Sequence, residues 1–385
     1  MMRLNRFTIR LLLIAATIIG AAGFGVAVVF VSPVRAWEAF LTNLLFWTGM
    51  AQGAVVMSAA LYMCQARWGG AGLYRLAEAS AGFLPVGFLL FWALFAGRYT
   101  LFPWITTPIP EKQPYLNVPF LFARDGAGLF LMWIFSWIFI QASRRRDSVD
   151  WAEDYESLDE APGPIAYLAP ALAIAYAAVY YILAVDLVMS LSPEWYSTMF
   201  PAYFTFGSFV SGIMLIALFA AVGKRPYRRD VAGERGGVLH DLGKLVFAGA
   251  TFWTFLLFAM YLVIWYGDIP KETFFVAPRV NYAPWGILGW TALGLIWVNP
   301  FFVLLCRAPK RNPFILGVVC FFGLIGFWLE RYVLVAPSIT RYRVPFGWIE
   351  IVTTIGFLGA FGLSTMPGLA RAPNAALKRV RREAA

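Results

Sequence analysis

Residues 199–222 read MFPAYFTFGSFVSGIMLIALFAAV and contain no charged side chain. One helix needs about 20 apolar residues to cross the roughly 30 Å hydrocarbon core of a bilayer, so this stretch predicts a membrane span. Comparable stretches, bounded by Pro, Gly or charge, recur along the chain, and we expect about ten. Their approximate limits are residues 9–31, 37–65, 76–102, 121–143, 166–191, 199–222, 242–266, 284–306, 313–336 and 346–368. The sequence therefore predicts an all-α integral membrane protein.

The composition agrees with a membrane protein and excludes several other classes. Of the 385 residues, 61% are hydrophobic and 14% charged, whereas a soluble domain has about 25% charged residues. Aromatic residues make up 18% of the chain and suit lipid-facing surfaces and interfacial belts. A disordered chain, a collagen and a disulfide scaffold are all excluded. The loops are too short for a soluble domain, so we expect a single membrane domain over residues 1–385.

Residue types that bind redox centres are scarce. Cys64, Cys306 and Cys320 lie far apart, with no CxxC or CxxCH motif that would indicate an iron–sulfur cluster, a zinc site or covalent haem. His240 is the single histidine, whereas a b-type haem usually takes a histidine on each face. We therefore expect no metal, no cofactor and no catalytic redox group in this chain.

The net charge of +10 is interpreted as a topology signal and not as a nucleic-acid surface. Most of the 31 Lys and Arg residues fall in alternate loops and in the two tails. Cytoplasmic loops carry an excess of Lys and Arg, so both termini are predicted to be cytoplasmic. The chain is then a multi-pass protein of the lipid bilayer.

The spans suggest two four-helix bundles, over about residues 37–191 and 199–336, with peripheral helices at 9–31 and 346–368. Residues 103–119 contain five prolines and are predicted to form a stiff extended cap, a docking surface for an extracytoplasmic subunit. Residues 144–164 turn from basic to acidic and are interpreted as a solvated linker, with partner docking as the alternative. Gly49 and Gly53 predict close helix packing.

Charged residues inside the membrane are functional candidates, since each costs at least ~2.5 kcal/mol on insertion scales. Asp186, Glu330 and Glu350 lie in the half of the bundle remote from the termini. A carboxylate there could carry a proton or accept one from a quinol. The alternative is a structural ion pair, for instance with Arg124 or Arg331 on a neighbouring helix.

A second set of candidates belongs to the span predicted over residues 242–266. At its start lie His240, Asp241 and Lys244, a possible proton entrance, although His240 could instead cap the helix. At 100° per residue, Thr251, Thr254 and Tyr261 continue from Lys244 as a polar stripe along which protons could hop. The alternative for such threonines is a hydrogen bond to the carbonyl four residues earlier in the same helix.

Several stretches together resemble one family. Residues 185–198, VDLVMSLSPEWYST, resemble the D-W-x-M-S-L-x-P-x-W-[YF]-S-T signature of the NrfD-like membrane subunits of alternative complex III, a bacterial quinol:cytochrome c oxidoreductase. Residues 240–245 (HDLGKL), 252–253 (FW) and 264–273 (IWYGDIPKET) are similar to a second pattern of that complex. Residues 32–37 (SPVRAW), 43–53 (NLLFWTGMAQG) and 83–87 (FLPVG) resemble its second NrfD-like subunit, ActF. The polysulfide reductase membrane anchor is a more distant relative.

The resemblance implies a ten-helix fold of two four-helix bundles in the bacterial inner membrane. It implies three partners: a second NrfD-like subunit that holds the quinol, a periplasmic iron–sulfur protein and a multihaem cytochrome c subunit. Fe–S clusters and c-type haems would then reside in partners, and this subunit would contribute a proton path. Leu187, Ser192 and the pair Ala259–Met260 depart from the family pattern by replacing polar or aromatic groups, which argues against quinol chemistry in this subunit.

Three functional hypotheses follow. The first is a cofactor-free subunit of a respiratory quinol-oxidising complex that anchors the peripheral subunits and conducts protons. The second is a subunit that binds and oxidises quinol near Asp186, with Trp195 and Tyr196 against the quinol ring. The third, ranked last, is a solute transporter with discontinuous helices and a midplane site, for which Pro85, Pro170 and Pro300 would permit kinks.

Overall fold

The prediction of an all-α membrane protein is confirmed in a computed structural model, which describes residues 6–66, 70–148, 163–223, 237–340 and 344–382. Within those ranges the regular secondary structure is helical throughout. In these described ranges, ten helices are long and apolar enough to cross a membrane. We number them spans one to ten: Arg6–Val31, Pro33–Met63, Gly72–Leu101, Val118–Arg145, Ile165–Leu191, Phe200–Val222, Val238–Gly267, Trp285–Val303, Pro313–Ile339 and Trp348–Ala370.

Local sequence signals set several of the helix starts. Ser32 precedes span two and its side chain accepts a hydrogen bond from the Arg35 N–H, while Pro33 occupies the first helical position. Asn312 caps span nine in the same way, accepting from the N–H groups of Phe314 and Ile315. Span five runs unbroken through Pro170, so this proline does not interrupt the helix.

The spans pack as two adjoining groups. Spans two to five contact one another in a ring, spans six to nine do the same, and spans two and six form the main contact between the rings. Spans one and ten pair with each other and lie against spans two and three. Span two is the central helix, with 94% of its most apolar window buried, against 11% for span one.

Glycines allow spans two and six to approach closely, as the spacing of Gly49 and Gly53 predicts. A Cβ atom on Gly53 would lie 2.2 Å from the Ser208 carbonyl oxygen on span six. On the opposite helix, a Cβ on Gly212 would lie 2.2 Å from the Ala54 nitrogen. Small residues at such a contact let two backbones pack directly against each other.

The outer surface of the spans is apolar. Large side chains stand exposed on it, including Phe30 at 80%, Tyr167 at 72% and Phe314 at 77%. A surface of this kind belongs in lipid, because in water it would be an extensive aggregation-prone patch. The chain is therefore a multi-pass membrane protein. We call the end of the bundle that holds both chain ends the termini end, and the opposite end the far end.

Two loop predictions have different outcomes. The proline-rich segment 103–119 is not uniformly extended: Pro103–Thr106 and Pro110–Lys112 form short helical turns that each begin with proline, and span four begins at Val118. The prediction of a fully extended cap is wrong, because the fixed φ of proline suits the first position of a helical turn. Most of the predicted linker 144–164 lies outside the described residues, beyond the end of the helix Val118–Ser148.

Candidate functional site

Asp186 lies at the far end of span five, one residue before its α-helix ends at Leu187. The side chain is fully buried, and its Oδ2 accepts a hydrogen bond from Arg124 Nε at 2.7 Å, with Arg124 Nη2 at 2.6 Å from the same oxygen. The Arg124 guanidinium stacks on the rings of Tyr115 and Phe120, 4.0 and 4.3 Å from their centroids. Asp186 is therefore ion-paired with Arg124, as the structural alternative predicted.

Asp125 adds a second carboxyl group to this cluster. It follows Arg124 on span four, is 1% exposed, and lies beside Asp186. Neither Asp125 oxygen has a hydrogen-bond partner among the described residues, and Asp186 Oδ1 and Arg124 Nη1 also lack one. The cluster thus contains two buried carboxyl groups and one guanidinium.

The charge balance of this cluster indicates how many protons its two carboxyl groups hold. Two ionised carboxylates beside one arginine would leave a net negative charge in the protein interior, which costs several kcal/mol. If Asp125 is protonated, its hydroxyl can donate to the free Asp186 Oδ1, and the cluster becomes neutral. Two carboxyl groups in contact commonly share one proton in this way. The site can therefore hold a proton that exchanges between Asp125 and Asp186.

Tyr115 connects the cluster with the far surface. It belongs to the loop before span four, is 40% exposed, and its hydroxyl faces Asp186. Burial, reinforced by the nearby Asp186 carboxylate, raises the pKa of Tyr115 to about 12, so the hydroxyl keeps its proton at neutral pH. A neutral hydroxyl between a buried acid and the surface can donate to one side and accept from the other.

Glu330 and Arg331 form a separate ion pair on span nine. Arg331 Nη1 donates to both Glu330 oxygens, at 3.0 and 2.8 Å. Arg331 Nη2 donates to the Phe204 carbonyl at 3.0 Å and to Ser208 Oγ at 3.1 Å on span six. The Tyr203 hydroxyl faces Glu330 from that span as well. This pair is neutral overall and links spans six and nine.

Glu350 is the most completely bonded of the predicted carboxylates. Arg35 reaches it through Nε to Oε1 at 3.2 Å and through Nη2 to Oε1 and Oε2 at 3.1 and 2.9 Å. The Gly347 N–H donates to Oε2 at 2.7 Å. This geometry stabilises an ionised carboxylate and connects span ten to span two.

The candidates on span seven begin in its first turns at the termini end, with His240, Asp241 and Lys244, and continue along the helix with Thr251, Thr254 and Tyr261. Lys244 Nζ lies 2.7 Å from Asp241 Oδ1 in a largely exposed pair. His240 is 6% exposed and its Nδ1 has no partner among the described residues, and it does not cap the helix. Thr251 and Thr254 donate to the carbonyls of Phe247 and Ala250, four residues earlier.

The polar stripe is thus satisfied within its own helix. Thr251, Thr254 and Tyr261 are half-buried, and span seven buries other positions, such as Trp253 and Met260. The threonine geometry is that of the structural alternative. The structure brings Asp186 and Arg124 together, and Glu330 and Arg331 together, but among the described residues no hydrogen bond or ion pair joins the span-seven candidates to either pair.

Several features bear on ligand binding. Groups of three or more metal-ligating side chains do not occur in the described ranges. An enclosed cavity of about 10 Å³ beside Thr48, Tyr180 and Phe204 has room for a single water molecule. Trp195 is 2% exposed and stacks on Phe275 with 3.7 Å between ring centroids, so this ring face is occupied.

An open groove of about 590 Å³ lies at the far end, between the helix Pro270–Val280 and span eight. Its volume is in the range of small-molecule sites. The groove is lined by Val280, Asn281, Tyr282, Ala283, Gly286, Ile287, Trp290 and Thr291. This lining contains no carboxyl group that could accept a proton from a quinol.

Asp125 and Arg35 are site residues that sequence reasoning did not select. Asp125 follows Arg124 directly in sequence, and the structure places it beside Asp186 of span five. Arg35 stands in the stretch SPVRAW at the start of span two, and its partner Glu350 is 315 positions away in sequence. The available signal was the same for both residues: an ionisable side chain within a turn or two of a predicted span end.

The fold and the buried charge clusters define a class: a ten-span, all-α membrane protein whose far half contains arginine–carboxylate pairs. Comparison of the sequence with known protein families and with curated proteins finds no match.

Proposed function

We propose that this chain is a cofactor-free membrane subunit of a respiratory quinol:electron acceptor oxidoreductase, and that it anchors peripheral subunits and conducts protons. The motifs at residues 185–198 and 240–273 support the family, since they resemble the NrfD-like subunits of alternative complex III. The observation that carries the proton role is the cluster of Asp125, Asp186 and Arg124, in which two buried carboxyl groups face one guanidinium.

The partners follow from the family. They are a second NrfD-like membrane subunit, a periplasmic iron–sulfur protein and a multihaem cytochrome c, with the Fe–S clusters and c-type haems in those partners. The location is the bacterial inner membrane with both termini in the cytoplasm. The basic residues near the termini end support this orientation, among them Arg144, Arg145, Lys310 and Arg311. The far end would then face the periplasm.

In this orientation the Asp125–Asp186 cluster serves the periplasmic side. A proton shared by the two carboxyl groups would leave through the Tyr115 hydroxyl, while the hydrogen bond from Arg124 holds Asp186 in place. Electron transfer in the partners must supply the energy, because moving one charge across 100 mV requires ~2.3 kcal/mol.

Two alternatives are less well supported. Quinol oxidation in this chain would need space for the ring beside Asp186, yet Trp195 is already stacked on Phe275 and Tyr196 is 65% exposed. A transporter would need helices broken near the midplane. Span five passes through Pro170 without a break, and spans three and eight continue as helices through a 3₁₀ turn at Ser80–Phe83 before Pro85 and a π-helical turn at Gly294–Val298 before Pro300.

The test uses the intact complex in proteoliposomes, where quinol oxidation and proton release are measured together. Asp125→Asn mimics the protonated acid in shape but cannot release a proton, and Asp186→Asn removes the partner of Arg124. We expect both variants to oxidise quinol with fewer protons released per electron. The matched control is Asp268→Asn, an exposed far-end position with φ 45°, where asparagine adopts the same backbone.

Each other outcome identifies a different role. Loss of quinol oxidation in Asp186→Asn, with the complex still assembled, would favour a quinol site in this chain. Unchanged oxidation and unchanged proton release in both variants would contradict proton conduction and leave an anchoring subunit.

A further inference from the structure

Glu38 is a buried carboxyl group that belongs to none of the pairs described above. It lies near the far end of span two and is 1% exposed. Its Oε1 accepts a hydrogen bond from Thr340 Oγ1 at 2.7 Å, at the end of span nine. Its Oε2 is buried and has no hydrogen-bond partner among the described residues.

Among the described residues, the charged groups that act on Glu38 are Arg35 and Glu350. The Arg35 side chain donates to Glu350 and to the Pro345 carbonyl, at 2.7 Å for the latter. The Tyr332 hydroxyl, from span nine, is a third titratable group near both carboxyl groups, and it too is buried without a partner among the described residues. Arg341 and Arg343 follow Thr340 but lie outside the described residues.

Glu38 and Glu350 therefore have very different hydrogen-bond partners in the protein. Glu350 accepts bonds from a guanidinium and a backbone N–H, which stabilise its ionised form. Glu38 accepts one bond from a neutral hydroxyl and lies next to an ionised carboxylate. An ionised Glu38 would leave a buried oxygen uncompensated, which costs more than keeping its proton at neutral pH.

We propose that Glu38 is a second proton-binding site of this protein, in which Glu38 holds an exchangeable proton while Glu350 stays paired with Arg35. The site shares no residue with the Asp125–Asp186 cluster. It lies between spans two, nine and ten, whereas that cluster lies between spans four and five.

The release step follows from the contacts. The Glu38 acid gives its proton to water at the far surface beside the half-buried Thr340, which leaves a Glu38 carboxylate that still accepts the Thr340 hydrogen bond. Uptake is the reverse reaction, and neither direction needs a co-reactant other than water. The site stores one proton close to the far surface, and this holds whether or not the chain belongs to a quinol-oxidising complex.

Infrared spectroscopy of the full-length chain in lipid nanodiscs tests this proposal. Protonated carboxylic acids absorb apart from carboxylates, so the difference between wild type and Glu38→Gln at neutral pH should contain an acid carbonyl band. In deuterium oxide the band should shift, because the proton exchanges with water. Glu194→Gln, at an exposed far-end position, is the matched control and should leave the acid region unchanged.

Glu38→Asp keeps an acid at the site and covers the case in which Glu38→Gln does not fold. We expect its acid band to move relative to wild type and not to disappear. An acid region that neither Glu38 variant alters would show that Glu38 is ionised at neutral pH, and a band that does not shift in deuterium oxide would show that its proton does not exchange. Either result would overturn the proposal.

Discussion

Arg124 on span four and Asp186 on span five are joined by a bond of 2.7 Å from Nε to Oδ2, with the carboxylate fully buried and Asp125 beside it. One guanidinium thus lies beside two carboxyl groups. This relationship gives the two acids different surroundings, because Asp186 accepts a hydrogen bond from Arg124, whereas neither Asp125 oxygen has a hydrogen-bond partner among the described residues.

Arg124→Met should destabilise the protein by about 3–5 kcal/mol, because it leaves the Asp186 charge buried without its partner. Thermal unfolding in a fixed detergent measures the loss. The double variant Arg124→Met with Asp186→Leu removes both charges and should recover most of the stability. A double variant no more stable than the single one would contradict this account of the pair.

We expect Arg279 to be required for the stability of the fold, because span nine contains Pro337. Proline has no N–H, so the Val333 carbonyl lacks its helical donor, and Arg279 Nε donates to it at 3.0 Å instead. Arg279 Nη2 also donates to the Leu334 carbonyl at 3.0 Å.

Arg279→Met should therefore lower stability by about 1.5–3 kcal/mol per lost charge-assisted bond. Adding Pro337→Ala restores an N–H for Val333 and should recover part of this loss, measured by thermal unfolding. If Pro337→Ala stabilises the protein that retains Arg279 as much as it stabilises the Arg279→Met variant, the two residues are not coupled and this account is wrong.

Gly53→Ala should disrupt the contact between spans two and six, since the new Cβ would lie 2.2 Å from the Ser208 carbonyl oxygen. We expect a lower unfolding temperature and a lower yield of folded protein. Gly25→Ala is the matched control, because a Cβ at Gly25 has no atom within 4 Å and alanine favours a helix by up to ~1 kcal/mol. Equal effects of the two substitutions would argue against a close-packed interface.

Thr251→Val with Thr254→Val tests the polar stripe of span seven. Both hydroxyls donate to carbonyls of their own helix, so we expect unchanged proton release per electron in the proteoliposome assay. Folding is not at risk, because valine has nearly the volume of threonine. A clear fall in proton release would restore the stripe as a proton path.

The raised pKa of Tyr115 predicts that the folded protein loses stability at high pH. Its pKa is raised by burial from 10.0 to about 12, so between these values the unfolded chain loses a proton that the folded protein retains. The stabilisation is complete below pH 10 and is lost as the pH rises through 12. Tyr115→Phe should remove this contribution, so its unfolding temperature should fall less than that of wild type on passing from pH 9 to pH 11.

The span count could be predicted from sequence because each span is set by a local property, namely a run of about 20 apolar residues. Residues 103–119 show the limit of such reasoning: the prolines excluded a long helix but not the short turns they begin. The depth of Asp186, Glu330 and Glu350 was visible in the same way. Their partners were predicted only in part. Arg124 pairs with Asp186 from a neighbouring helix as expected, whereas Arg331 pairs with Glu330 of its own span, and Arg35 was not predicted as the partner of Glu350.

By itself, the sequence determined that the chain crosses a bilayer about ten times and that its charged residues collect at span ends, because hydrophobic length and charge act locally. Only the tertiary structure decided which charges meet. Arg35 meets Glu350 across 315 positions, Asp125 lies beside Asp186, and one Glu38 oxygen has no hydrogen-bond partner in the described part of the chain. These contacts depend on which helices pack together and in what rotation. That arrangement determines which buried acids are ion-paired and which can hold a proton.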